Sequence, residues 1–99
     1  MRCILGFALG LLPLTAVAQS SEIGRVMAER WCMSCHVVER TQDAGVANGV
    51  PTFSAIAAKP TTTEDSLRGM LSQPHGRMPD FSLGRREQDA LIGYILSLR

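Results

Sequence analysis

The sequence predicts an all-α domain of about four short helices, and three observations carry that expectation. Apolar residues recur at helical spacing in two distant stretches, Ile23 to Trp31 and Leu91 to Leu98. Hydroxyl and acidic residues stand where helices would open, satisfying free N–H groups and suiting the helix dipole. Nothing reads as the alternating pattern of a half-buried strand.

The chain has 99 residues, enough for one small domain. Residues 1–18 are expected to be a signal peptide: Arg2 is basic, Ile4 to Leu14 is apolar, and Ala16-Val17-Ala18 is a small-residue cleavage pattern. The apolar run falls short of the roughly 20 residues of a membrane span, and Pro13 interrupts it. No stable membrane insertion is therefore expected after cleavage. The mature domain would be residues 19–99, periplasmic or otherwise exported, and Cys3 would leave with the leader.

The first helix is expected to start at an N-cap on Ser20 or Ser21, with Glu22 in its first turn. Ile23, Val26, Met27, Arg30 and Trp31 keep its period, so it should run into Cys32 and stop near His36. From Glu39 to Val50 the pattern fails, and Asp43, Gly45, Asn48 and Gly49 mark a loop. Phe53 to Ala58 reads as a short helix between Pro51 and Pro60. Thr62 or Thr63 caps a third helix, with Leu67, Met70 and Leu71 on its apolar side and Pro74 at its end. After a second loop, Gln73 to Leu83, a final helix spans about Arg85 to Leu98, with Gly84 as N-cap and Glu87 at the capping-box position.

Charge excludes some partners. Without Arg2 the basic and acidic residues balance, Lys59 is the single lysine, and no basic cluster suits nucleic acid or an anionic membrane. Export and size give the cysteines their meaning. Cys32 and Cys35 lie within one turn of chain and cannot staple distant segments. A domain this small often needs a further staple, which a bound cofactor would supply.

Cys32-Met33-Ser34-Cys35-His36 admits three readings. A zinc site needs about four ligands; the mature chain offers these two cysteines, His36 and His75, and adjacent Cys35 and His36 serve one small ion poorly. A thioredoxin-like dithiol needs its CxxC at a helix N-terminus after a strand, where the thiol pKa falls. Here the motif lies at the far end of a helical pattern. Covalent haem attachment uses every residue: thiols at i and i+3 face one way, and His36, four residues after Cys32, can reach the iron.

The second axial ligand decides between electron carriers, gas binders and peroxidases. Met27 and Met70 sit on apolar helix faces, and Met33 lies between the cysteines. Met78 stands in a loop before Pro79, which favours extended backbone there and could lay the sulfur against the haem. His75 is the competitor, and an open iron is the third outcome.

With these residues in view, the chain resembles small class I monohaem cytochromes c of the bacterial periplasmic type. The resemblance runs in order through Gly24, the Cys32–His36 motif, Pro51, Met78-Pro79 and the closing "ALIGYILSLR" helix. It implies a cytochrome c fold with crossing first and last helices around one covalently bound haem c. Gly24 and Gly93 are the candidates for close approach at that crossing, packed against Tyr94. Cys32 and Cys35 would carry the haem, with His36 and Met78 on its iron. A carbonyl just before Pro51, from Gly49 or Val50, would accept a hydrogen bond from the axial histidine. Pro51, Phe53, Ile56, Leu67, Met70, Leu71 and Phe81 would line the pocket.

The chain also departs from the family pattern. Val37 replaces the usual glycine after the histidine, and Ala28 replaces an aromatic whose bulk Trp31 would partly supply. Arg68 or Arg77 would be left to meet a haem propionate. The implied activity is one-electron transfer rather than enzymatic turnover, as a monomer meeting redox partner proteins such as a dehydrogenase, an oxidase or a cytochrome complex. A rim of Met33, Ser34, Val37, Gly76 and Pro79 would dock them. The alternatives are a redox subunit or sensor of a larger complex, and a gas-binding or peroxidase-like protein.

Overall fold

A computed structural model describes residues 3, 6, 8, 10, 15–40, 49–73 and 76–99, with 15–20 described by backbone alone. Among them the regular elements are four helices: α1 (Thr15–Trp31), α2 (Phe53–Ala58), α3 (Glu64–Ser72) and α4 (Arg85–Ser97). The all-α expectation holds.

Helix α1 starts earlier than Ser20 or Ser21, which both lie inside it, and Glu22 is outside its first turn. The reason is local. Nothing in Thr15-Ala16-Val17-Ala18-Gln19 breaks a helix, and alanine is the strongest helix former. The other end also differs, because the helix stops at Trp31. The N–H groups of Cys32 and Met33 both reach the Ala28 carbonyl, at 2.8 and 3.0 Å, which widens the last turn. A separate turn then closes from the His36 N–H to the Cys32 carbonyl at 2.8 Å.

Helix α4 is the hub, packing against each of the other three. Its crossing with α1 is set by Gly24. A Cβ there would overlap the Ala90 carbonyl oxygen and come within 2.8 Å of the Tyr94 Cβ. Gly93 has no such role: it is exposed and faces open space. Both neighbours of Gly93, Ile92 and Tyr94, are buried, which rotates Gly93 itself outward. The Tyr94 hydroxyl donates to the Val38 carbonyl at 2.6 Å, tying α4 to the chain leaving the motif. A buried bond of this kind contributes about 1 kcal/mol.

Capping fixes the two middle helices. Thr52 accepts the Ala55 N–H at 3.0 Å to open α2. Thr63, not Thr62, opens α3, in a reciprocal box with Ser66 at 3.1 and 2.8 Å. Thr62 is buried, and its hydroxyl donates to the Ile56 carbonyl at 2.6 Å. The Arg99 guanidinium reinforces this corner by donating to the Ala57 carbonyl at 3.0 Å and to the Thr62 carbonyl. Gly84 is the N-cap of α4, with Leu98 as its C-cap. The capping box expected with Glu87 does not form, since glycine has no side chain to reciprocate and α4 lacks a side-chain cap bond.

Arg25 on α1 pairs with Glu22, with Glu29 at 2.5 Å and with Glu39 at 3.0 Å, the last crossing to the segment after the motif. Such half-exposed pairs fix geometry more than they add stability.

Candidate haem site

The motif turn, α2, α3, the Gly76–Phe81 loop and α4 enclose one cavity of about 950 Å³. That is at the large end of small-molecule sites. Cys32, Cys35 and His36 stand on one wall, and Met78 lines the same cavity. Cys32 is buried and Cys35 is exposed, and neither thiol is in a disulfide. Burial pushes the Cys32 thiol up to about 11, with Cys35 adding a smaller push. A dithiol nucleophile needs the opposite shift.

His36 is held from two directions. Its ring lies 5.2 Å from the Phe53 ring, centroid to centroid, tilted by 52°. Its Nδ1 donates to the Pro51 carbonyl at 2.6 Å. A carbonyl can only accept, so Nδ1 carries the proton, and in the neutral imidazole that leaves the lone pair on Nε2. The acceptor is thus Pro51 itself rather than Gly49 or Val50. Register explains the difference. The Phe53 N–H bonds the Val37 carbonyl at 2.9 Å, so residues 51–53 run beside 36–38 and bring the Pro51 carbonyl opposite the ring. Gly49, at φ +78°, turns the chain into that path.

Phe53 and Leu67 are buried on the cavity wall, and Ile56 and Leu71 are half-buried there. Met70 and Phe81 also line it yet remain 50% and 40% exposed. Of the two methionines on apolar helix faces, Met27 packs against the core while Met70 stays half exposed at the cavity. Two large apolar side chains left open at a cavity mouth fit a flat apolar group that covers them. The donor set fits as well: two unpaired thiols, an imidazole nitrogen with a free lone pair, and a thioether. Among the described residues no three His, Cys, Asp or Glu side chains converge as a metal cluster.

The arginines separate. Arg77 lines the cavity, whereas Arg68 is held by Asp89 at 2.6 Å and Glu64 at 3.2 Å. His75 lies outside the described residues. Of the expected docking rim, Ser34, Gly76 and Pro79 border the cavity; Met33 is exposed beside it and Val37 is half-buried. Leu91 and Ile95 of α4, Trp31, Lys59 and the polar Thr61, Thr62 and Ser66 also line the cavity, and none of them was expected as a pocket residue. The i, i+4 spacing of Leu91 and Ile95 was the available signal for the first two.

No family model and no solved structure matches the chain. It is 40% identical over 85 residues to a protein named cytochrome c-552 from Bradyrhizobium diazoefficiens, covering 86% of this chain and 81% of that relative. Similarity of this extent, on a helical chain whose CxxCH turn opens onto an apolar cavity, places it: the protein belongs to the small class I c-type cytochromes.

Proposed function

We propose that Cys32 and Cys35 hold the haem through thioether bonds, and that His36 Nε2 and the Met78 sulfur are its axial ligands. As a c-type cytochrome the chain carries covalently bound haem c and works as an electron carrier rather than an enzyme. The haem supplies a ferrous/ferric couple, which moves one electron at a time. The observation that carries the ligand assignment is the His36–Pro51 hydrogen bond, which aims one ring nitrogen away from the backbone and raises its basicity. Met78 supports it from a separate loop on the same cavity. Two ligands placed by different elements would keep their positions as the iron changes charge, which would keep rearrangement small. Carbon monoxide tests this directly. The ferrous protein at neutral pH is expected not to bind it, because Met78 fills the sixth position; ready binding would turn the reading toward a gas binder.

The leader reading stands on the sequence alone: export, cleavage after Ala18, which would remove the first four residues of α1, and action in the periplasm. Among the described residues no helix is long and apolar enough to cross a membrane. Redox partners would meet the cavity edge through Met33, Ser34, Gly76 and Pro79, which carry no charge themselves, with Arg77 and Lys59 as the charged side chains lining the same cavity. Docking would then be mainly apolar, and the electron-transfer rate should change less than about threefold when salt screens exposed charges. A steep fall with salt would refute that mode of docking.

A further inference from the structure

We infer that Asp80 is a positioning residue for Met78, holding the sulfur in register through a turn closed on the Ser82 N–H; this rests on the ligation proposed above. The Asp80 Oδ1 accepts the Ser82 N–H at 2.8 Å. A carboxylate bonded to the N–H two residues on makes an Asx-turn, a local device for bending chain without secondary structure. Ser82 sits at φ +51°, the left-handed region, and among the described residues it is the only non-glycine there. Serine lacks the freedom of glycine, so the surroundings must impose that conformation.

The location gives the turn its role. Met78 and Phe81 both line the cavity, and Leu83 packs against the core just before α4. Among the described residues, no backbone–backbone hydrogen bond involves Pro79 to Leu83. Met78 itself is held in an isolated bridge, and between it and α4 the described constraints are side-chain packing and the Asp80 bond. On the other flank Gly76, at φ +52°, supplies the matching bend at no steric cost. Without the Asp80 bond, Ser82 can relax to negative φ, and the peptide planes leading back to Met78 rotate with it. The role needs an oxygen acceptor at position 80, not a charge.

The test is displacement of Met78 by added imidazole in the ferric holoprotein at fixed pH, read by loss of the sulfur-to-iron charge-transfer band. Asp80→Ala is expected to lower the imidazole concentration for half-displacement by about fivefold, the scale of one side-chain hydrogen bond. Asp80→Asn keeps the acceptor and should stay within about twofold of wild type on the same scale. Ser82→Val disfavours positive φ without touching Asp80, and should shift in the same direction as Asp80→Ala. It serves as the readout if Asp80→Ala fails to retain haem. An Asn variant that behaves like Ala would assign the effect to charge and overturn the proposal, as would Asp80→Ala or Ser82→Val titrating like wild type. Met78→Ala separates the two levels: a band that survives there refutes the ligation itself, while a band lost there with Asp80→Ala unchanged refutes only the turn.

Discussion

Gly24→Val is expected to destabilise the protein by about 3 kcal/mol or more, at the upper end of what overpacking costs. The side chain would have to enter space held by the Ala90 carbonyl and the Tyr94 Cβ. Backbone cannot rotate away as a flexible side chain can, so α1 and α4 would have to separate. Their separation would break the main helix–helix contact and pull Tyr94 from its bond with Val38. Against a total stability of about 5–15 kcal/mol, that loss is large. Urea denaturation of the haem-loaded variant reads it as a lower midpoint, and Gly93→Ala is the control. Position 93 is exposed with nothing within 4 Å, so alanine there should be neutral or gain up to about 1 kcal/mol from helix propensity. Equal midpoints for wild type and Gly24→Val would mean that the crossing is not as described.

Met78→Ala is expected to lower the reduction potential by at least about 100 mV, a modest part of the roughly 0.8 V spanned by axial ligation. Methionine sulfur is a soft donor and raises the potential of histidine-ligated haem. Replacing it with alanine leaves space on the cavity wall that water or an added ligand can enter. The ferric charge-transfer band should vanish, and the ferrous variant should gain carbon monoxide binding. His36 would be untouched, since its ring is fixed by Pro51 and Phe53 on another wall. An unchanged potential and band would remove Met78 from the iron.

How much of this was legible beforehand differs from element to element. The bounds of α2 were readable to the residue because Pro51 and Pro60 bracket it. The start of α1 was not, because serine is a good cap but also a tolerable interior residue, and the alanine-rich stretch before it extends the helix. The histidine's backbone partner was readable as a carbonyl near Pro51. The choice of Pro51 over its neighbours depended on the Phe53–Val37 bond, a contact between segments distant in sequence. Likewise Gly24 and Gly93 looked equivalent as small residues on helices. Only the crossing angle, a tertiary quantity, decides which one meets a neighbour. The polar wall of Thr61, Thr62 and Ser66 was hidden for a different reason: hydroxyls beside a helix start read first as caps. Thr63 and Ser66 do cap α3, and Ser66 borders the cavity as well.

The most direct test of the central claim is acid-acetone extraction of the purified holoprotein, with absorption spectra taken before and after. Covalent attachment predicts that the haem colour stays with the polypeptide, and that it leaves with the solvent when both Cys32 and Cys35 are replaced by serine. Haem extracted freely from the wild-type protein would contradict a c-type site at Cys32 and Cys35.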